Sequence, residues 1–167
     1  DLIDTMKINK PSMYRAFGNK ECLFVKATER YLETKMKPHL ALLFENNTSL
    51  KDRLKNHMMS IIDMQCNTVN AKGCYLVFCQ AELMGGGIPK EAESLLKEAD
   101  TIPKKLYAEI FEQDAEAIKL GLNVNAQLNS VSLYTLLKGT ASMARSGAVK
   151  TDLEYSVDSI LAGIGLH

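Results

Sequence analysis

The stretch INKPSMYRAFGNKECLFVKA, residues 8–27, decides the fold because it contains the start and end signals of one short helix and the start signal of another. Asn9 is a residue type that favours the N-cap, where its side chain accepts a hydrogen bond from a free backbone N–H group. Pro11 is tolerated in a first helical turn, and Gly18 is typical of the position after a last turn. These signals predict a helix over residues 9–17.

The segments on either side are predicted to be helical as well. Asn19 favours the cap of a long helix from Lys20 to about Leu43, with Pro38 placed to end or kink it. On the other side, residues 1–6 form the end of a short helix. Two short helices separated by three or four residues are typical of a helix-turn-helix, whose second helix enters the major groove of DNA.

The second helix of this motif presents hydrogen-bond donors. Four such side chains lie along it: Lys10, Ser12, Tyr14 and Arg15. Met13 and Phe17 form an opposing apolar pair that would anchor the helix to its own domain. Base edges and phosphates in the major groove are rich in acceptors, so this set suits DNA. Helical periodicity alone supports an alternative about equally well, namely a small helical hairpin whose charged side chains are only solvated.

The same stretch resembles the signature of the TetR/AcrR family of transcription regulators. The shared elements, in order, are a hydrophobic residue, a cap, an apolar–Tyr pair, an aromatic residue, Lys-Glu and an apolar pair: Ile8, Asn9, Met13–Tyr14, Phe17, Lys20–Glu21 and Leu23–Phe24. The resemblance implies that Lys10, Pro11 and Ser12 face base edges. It also implies that Tyr14 and Lys20 clamp phosphates, with Arg15 in the same DNA-binding set and the positive helix N-terminus helping Lys20.

Two positions depart from the family pattern. Lys7 stands where the turn usually has glycine, and a left-handed lysine costs up to about 1 kcal/mol more than glycine. Cys22 stands where glutamate often completes a capping box. Both departures bear on stability, since neither belongs to the DNA-facing set. The chain starts with Asp1 inside a helix, so we expect a preceding stretch with the family's first helix.

Composition and charge are those of a globular protein with a basic head. Charged residues make up 24% of the 167 positions and the formal net charge is zero, but residues 1–37 carry a net charge of +3 and the remainder −3. A basic head on an acidic body suits a DNA reader with a separate module. We expect a cytoplasmic protein, because no apolar run reaches the roughly 20 residues of a membrane span and no signal peptide opens the chain.

The rest of the chain is predicted to be helical, which makes the fold class all-α. Helices are expected over residues 50–69, 74–84, 89–99, 104–120, 129–144 and 153–164, with the pair around Pro103 separated or kinked there. The apolar run at 74–84 predicts a helix enclosed on all sides. Residues 1–43 form the predicted DNA-binding domain with its connecting helix, and residues 44–167 the ligand-binding and dimerisation domain.

A looser resemblance to one branch of the same family covers KGCYLVFCQAEL (residues 72–83) and LKGTASMARSGAVKTDLEYSVDSILAGI (residues 137–164). It implies that the last two helices pair with their copies in a second subunit as a four-helix bundle. A homodimer would read a near-palindromic operator in double-stranded DNA. The predicted dimer interface comprises Leu133, Leu137, Ala141, Ala144, Val157, Ile160, Leu161 and Ile164.

The resemblance further implies a small-molecule pocket in the body. Its predicted lining is largely apolar: Met58, Met59, Ile62, Gln65, Phe78, Tyr107, Ile110 and Phe111, with Met84 and Gln80 as further candidates. A mostly apolar effector would bind there and release a repressor from its operator. The alternative is that these residues only fill a core.

Other chemistry has less support. Cys66, Cys74 and Cys79 leave open a redox- or electrophile-sensing regulator, although buried structural thiols are favoured about four to one. A ligand-binding helical module without specific DNA binding is a further alternative. Catalysis is not expected, since phosphate loops, nucleophile elbows and paired catalytic groups are missing from the sequence. The three histidines are too scattered for a metal site, and no cofactor is expected.

Overall fold

The computed structural model describes residues 2–45, 47–67 and 72–167, and in these ranges it contains helices and turns without a strand. This confirms the predicted all-α class. The α-helices are α1 (Leu2–Met6), α2 (Lys10–Phe17), α3 (Lys20–Tyr31), α4 (Lys37–Leu40), α5 (Leu50–Cys66), α6 (Tyr75–Ala81), α7 (Lys90–Gln113), α8 (Ala115–Lys119), α9 (Ala126–Arg145) and α10 (Lys150–Gly163). Residues 68–71, which include the end of the helix predicted over 50–69, lie outside the described residues.

Side-chain caps set the start of α2 and of α3, as the sequence predicts. The Asn9 side chain accepts a hydrogen bond from the Ser12 N–H at 2.8 Å, and the Asn19 side chain accepts one from the Cys22 N–H at 2.7 Å. Gly18 ends α2 with a φ of +89°. Lys7, in the turn before α2, has a φ of +52°, the left-handed conformation that its place in the turn requires.

The long helix expected from Lys20 to about Leu43 is one continuous run with an irregular middle. A π-helical turn over Leu32–Met36 follows α3, and a 3₁₀ turn over Ala41–Phe44 follows α4. Pro38 has no N–H group, and in a regular α-helix its ring would clash with the carbonyl of Thr34. The wider π turn just before the proline separates these groups, so the chain adapts through the preceding turn.

The body packs four long helices around one apolar core. Helix α7 packs against α9 and α3, α5 against α9 and α10, and α10 also against α9. The largest fully buried side chains of this core include Leu54, Met58, Ile62, Phe111 and Leu133. A second, smaller cluster around Cys74, Leu76, Cys79, Leu96 and Ala141 contacts Phe24, Tyr31, Leu32 and Met36. This cluster fastens the first long helix to the body.

Two helical predictions in the body are corrected. The helix expected over residues 74–84 covers only Tyr75–Ala81, and much of it is half-buried instead of enclosed; Met84 lies beyond it and is 98% exposed. The helices expected on either side of Pro103 are one helix, α7. Complete burial of Leu96, Tyr107 and Phe111, at about 1.5–3 kcal/mol each, outweighs the roughly 3 kcal/mol that an internal proline costs.

Asp114, not Pro103, is the residue that stops α7. Its side chain caps α8 by accepting hydrogen bonds from the N–H groups of Glu116 at 2.9 Å and Ala117 at 3.2 Å. It also pairs with Arg53 at 2.5 Å, and Arg53 donates to the Leu43 carbonyl at 3.2 Å. This bridge ties α5, the end of the first long helix and α8 together.

Ion pairs also connect α10 to α5. Lys55 lies 2.7 Å from an Asp158 oxygen and 3.7 Å from a Glu154 oxygen, and Lys150 lies 2.5 Å from an Asp63 oxygen. All are partly exposed, so each contributes little to the free energy of unfolding. The apolar residues of α10, Leu153, Val157 and Leu161, are completely buried and supply most of its attachment.

A buried histidine joins three helices at the centre of the body. His57 on α5 has its Nδ1 2.8 Å from the His39 carbonyl oxygen and its Nε2 2.7 Å from the Tyr107 hydroxyl oxygen. A carbonyl can only accept, so Nδ1 carries the proton and Nε2 accepts the Tyr107 hydroxyl hydrogen. Burial lowers the pKa of His57 to about 4, only partly opposed by the bond to His39, so the ring is neutral at pH 7.

This bridge predicts a loss of stability in mild acid. The unfolded chain takes up a proton near the ordinary histidine pKa of about 6.5, whereas folded His57 takes one up only near pH 4. Stability from the neutral ring is therefore complete above pH 6.5 and is lost as the pH falls. Between pH 6.5 and 5 the free energy of unfolding should drop by about 2 kcal/mol through His57.

Urea unfolding at several pH values checks this prediction. His57→Gln should flatten most of the pH dependence, and a smaller part should remain because burial also lowers the pKa of His39. His167→Gln, at an exposed terminal position, is the control and should leave the pH dependence unchanged. An unaltered slope in His57→Gln would contradict the assignment of a neutral, buried ring.

Candidate nucleic-acid interface and ligand cavity

Helix α2 exposes every side chain that the sequence analysis assigns to DNA. The exposed set is Lys10, Pro11, Ser12, Tyr14, Arg15 and, at the start of α3, Lys20. Met13 is the buried residue of α2, at 5% exposure, and Phe17 is half-buried. The predicted division between anchoring and outward-facing residues therefore matches the structure.

The electrostatics of this surface favour an anion. The N-termini of α2 and α3 both lie within residues 9–20, and each helix N-terminus carries a partial positive charge. The Lys10 ammonium lies over the Tyr14 ring, 6.0 Å from its centre, so a cation and a hydrogen-bonding aromatic side chain are neighbours on the exposed side of α2. Both side chains can donate hydrogen bonds to phosphate oxygens.

A cavity of about 340 Å³ lies between the first long helix, α5, α6, α7 and α9. Its lining is mainly apolar, including Leu32, Met36, Leu40, Ile61, Leu76 and Ile102. The polar side chains among these walls are those of Gln65, Gln80, His57, Tyr107 and Tyr134, with Glu33, Lys37, Glu98 and Lys138 as charged members. The π turn and α4 form one wall, so this cavity adjoins the helix that begins at Lys20.

The structure places only part of the predicted pocket in this cavity. Gln65 and Tyr107 line it, and so does the further candidate Gln80. Five predicted residues belong to the core or its margin instead: Met58, Met59, Ile62, Ile110 and Phe111. Each is on the correct helix but faces a packed neighbour. Leu32, Met36 and Leu40 were missed, and the signal that could have found them was the disturbance of the helix before Pro38.

Phe78 lines a second, larger cavity of about 930 Å³, together with Tyr31, His39, Asp63, Lys72 and Arg145. This space is bordered by several charged side chains and by Asn67 and Lys72, which flank positions outside the described residues. The smaller cavity, with its mainly apolar wall, is therefore the better candidate for an apolar ligand.

Burial sets the properties of the cysteines near these cavities. Cys74 and Cys79 are both buried, and the Cys74 sulfur lies 3.7 Å from the Tyr31 hydroxyl oxygen. Burial raises the pKa of the Cys79 thiol, an effect that its hydrogen bond with Tyr75 only partly opposes. A sensing cysteine needs a lowered pKa, so Cys79 does not fit this role.

The predicted dimer residues require a correction. Six of them, Leu133, Leu137, Ala141, Ala144, Val157 and Leu161, are buried in the protomer's own core, and Ile160 and Ile164 are half-buried against it. A side chain without accessible surface cannot meet a partner. The outer side of α9 and α10 instead carries an uncharged surface, which we call the outer face: Leu128, Val131, Thr135, Gly139, Ser142, Tyr155, Ser159 and Ala162.

The outer face is unusually apolar for a solvent-facing surface. Leu128 is 68% exposed, Val131 51% and Tyr155 78%. On α9 its members recur every three or four residues, so they form one stripe opposite the buried one. A Cβ atom added at Gly139 would meet nothing within 4 Å, which leaves room for close approach by another surface.

In the described part of the chain, no helix is both long enough and apolar enough to span a membrane. The same residues include no group of three or more His, Cys, Asp or Glu side chains arranged to hold a metal ion.

Comparison with known sequences gives one weak match. No protein-family profile matches this chain. The HTH-type transcriptional repressor ComR of Escherichia coli (strain K12) is 27% identical over 77 residues, which cover 46% of this chain and 37% of ComR. The match thus spans a little over a third of the length of that curated relative.

Comparison with solved structures is more extensive. A double cysteine mutant of the TetR family transcriptional regulator CifR, complexed with 26-base-pair operator DNA, superposes with a TM-score of 0.80 at 21% identity. The superposition covers 96% of this chain and 83% of the CifR chain. A triple cysteine mutant of CifR, also complexed with 26-base-pair operator DNA, gives the same 0.80 and 21%, with 82% of its chain covered. The chain therefore has the fold of the TetR family of transcriptional regulators.

Proposed function

We propose that the chain is a DNA-binding transcription regulator, a repressor that a small, largely apolar effector releases from its operator. The observation that carries the proposal is the exposed set of donors on α2 and at the start of α3, in a fold shared with a regulator solved on operator DNA. The likeness to the repressor ComR supports repression as the direction of control. Residues 1–43 form the DNA-binding domain with its connecting helix, and residues 44–167 the effector-binding and dimerisation domain.

Within the DNA interface, the roles divide between phosphate and base contacts. Tyr14 and Lys20 bind phosphates, since one lies beside a lysine ammonium and the other at a helix N-terminus. Lys10, Pro11 and Ser12 occupy the first turn of α2, the part of a recognition helix that reaches base edges. Arg15 adds a further cation on the exposed side.

The regulator acts as a homodimer through its outer face. A twofold axis through this surface would hold two copies of α2 about 34–36 Å apart, one turn of B-DNA. The operator would then be a near-palindrome. Uncharged residues at helical spacing on α9, with Gly139 in the stripe, support close packing of α9 and α10 against their copies.

The effector occupies the 340 Å³ cavity and acts on the first long helix. Leu32, Met36 and Leu40 form part of the cavity wall, and Lys20 lies on the same helix about 18 Å away at 1.5 Å per residue. An occupant that favours another position of this wall shifts α2 relative to its copy. A ligand with equal affinity for both positions would shift nothing.

The alternative of a cysteine-based sensor has less support, because Cys79 is buried with a raised pKa. The first of the three experiments below distinguishes the proposed regulator from a ligand-binding module that does not bind DNA.

The first prediction concerns the phosphate contacts. In the full-length protein, Tyr14→Phe/Lys20→Ala should weaken binding to all operator sequences alike and make it less dependent on salt, because phosphate contacts carry no sequence information. Ser12→Ala should instead change sequence preference. Gel shifts with DNA from upstream of the protein's own gene, at several salt concentrations, measure both. Lys119→Ala, an exposed lysine on α8, is the control. Unchanged affinity in the double variant would refute the interface, and no shift with any DNA would favour the module.

The second prediction concerns the outer face. Light scattering at micromolar concentration should give the mass of a dimer, and Gly139→Arg should give a monomer, since a long charged side chain separates the two stripes. The protomer itself has space at Gly139. Ser94→Arg, at an exposed position of α7, should remain dimeric. A dimer in Gly139→Arg, or a monomer in the unaltered protein, would refute this assembly.

The third prediction concerns release from DNA. A thermal-shift screen of apolar metabolites should yield ligands, and these should weaken operator binding about 5–150-fold. Ala99 lines the cavity, so the larger side chain in Ala99→Trp should occupy part of the cavity volume. This variant should lose the response to the ligand while operator binding stays intact. Ligands that still release Ala99→Trp from DNA would place the effector site elsewhere.

A further inference from the structure

Gln65 presents an unused hydrogen-bond acceptor to the 340 Å³ cavity. The residue is only 1% exposed, and it lines the cavity from α5. Its amide nitrogen donates to the Leu137 carbonyl at 3.2 Å, which orients the side chain. Its carbonyl oxygen Oε1 is buried and has no hydrogen-bond partner among the residues that the structure describes. A buried amide oxygen left in this state costs free energy until a donor reaches it.

Gln80 repeats the same arrangement from α6. Its amide nitrogen donates to the Leu96 carbonyl at 3.3 Å, and its Oε1 is buried without a partner among the residues that the structure describes. Two side chains from different helices therefore line the same cavity, each with one hydrogen bond from its nitrogen and none to its oxygen. One unpartnered oxygen could be a local packing defect, but two on residues that line one cavity indicate that its ligand must donate hydrogen bonds.

The tyrosines of the wall add acceptors, because their hydrogens are used inside the protein. Tyr107 donates its hydroxyl hydrogen to His57, and Tyr134 donates to Asp100 at 3.1 Å. Each hydroxyl oxygen keeps lone pairs for a donor. Pro103 contributes in another way, since it has no N–H group for the carbonyl of Ala99, and both residues line the cavity.

The cations of the wall are already neutralised. Lys37 pairs with Glu33 at 2.8 Å, and Lys138 pairs with Asp100. Burial alone would raise the pKa of Asp100, but Lys104 and Lys138 together hold it below its ordinary value, so this carboxylate stays charged. His57 is neutral at pH 7. An anionic ligand would thus meet a cavity wall that is rich in hydrogen-bond acceptors and whose lysines are already paired with carboxylates.

We infer that the effector is an uncharged apolar molecule whose polar end donates hydrogen bonds, of the alcohol, phenol or primary amide class. Carboxylates and molecules that only accept hydrogen bonds are selected against, because the unpartnered polar atoms of Gln65 and Gln80 are oxygens, which such ligands leave without a donor. This inference rests on the proposed function, since it specifies the effector of the same cavity.

Calorimetric titration of the chain with four eight-carbon probes tests the selectivity. 1-Octanol and octanamide carry donors, 2-octanone only accepts, and octanoate is the anion; their apolar parts are nearly the same. The donors should bind about tenfold more tightly than 2-octanone and octanoate, the difference expected when a buried acceptor gains or lacks its hydrogen bond. Gln65→Met keeps the side-chain length and removes one of the two unpartnered acceptors, so it should reduce the preference for octanamide over 2-octanone. Gln127→Met, exposed on α9, should keep the tenfold preference.

The outcomes separate this inference from the proposed function because no DNA is present. Equal binding of octanoate or 2-octanone and the donors in the unaltered chain overturns it, and so does the absence of binding by all four. Retention of the tenfold preference in folded Gln65→Met also overturns it; if that variant fails to fold, the unaltered chain alone decides. Donor-selective binding by a protein that binds no DNA would leave the cavity assignment standing and remove the regulator.

Discussion

The missing N–H group of Pro38 shapes the longest helical run of the molecule. A regular α-helix cannot pass this residue without a clash at the carbonyl four positions earlier. The chain widens to a π turn over Leu32–Met36 and continues as α4 without leaving the helix. This one accommodation places Leu32, Met36 and Leu40 in the cavity wall. It also keeps the helix in contact with the cluster around Cys74 and Leu96, so the end that is proposed to contact DNA and the body share one element.

Local signals in the sequence are sufficient for the first third of the fold. The caps at Asn9 and Asn19 and the stop at Gly18 could be predicted because each depends on a few adjacent residues, whereas the left-handed backbone at Lys7 was expected from the resemblance to a family that usually has glycine there. Once residues 10–17 are predicted to form a helix, the exposed residues of α2 follow from helical periodicity, because the apolar Met13 must face inward. The exposure of the residues proposed to contact DNA could therefore be predicted residue by residue, while contact with DNA itself remains a proposal.

Features that depend on packing between distant elements could not be predicted. Pro103 is a strong local breaker, yet burial on both sides keeps α7 continuous. For α9, periodicity shows two apolar faces but does not say which one the protomer covers. The residues assigned to the partner on this helix, Leu133, Leu137, Ala141 and Ala144, fill the protomer's core instead. Part of the cavity lining was missed for the same reason. The sequence of a helix shows which residues are candidates, but only the packing between helices decides which of them border a cavity.

The ion pairs between α5 and α10 have a consequence beyond their small energies. Lys55 meets Glu154 and Asp158, and Lys150 meets Asp63, so charges are matched along more than two turns of α10. Sliding the helix by one residue would rotate it by about 100°, separate both sets of charges and turn a carboxylate toward the core. The pairs therefore act as a rotational register. Together with the buried Leu153, Val157 and Leu161, they specify which side of α10 points outward, and with it the alignment of Tyr155, Ser159 and Ala162 beside the stripe on α9.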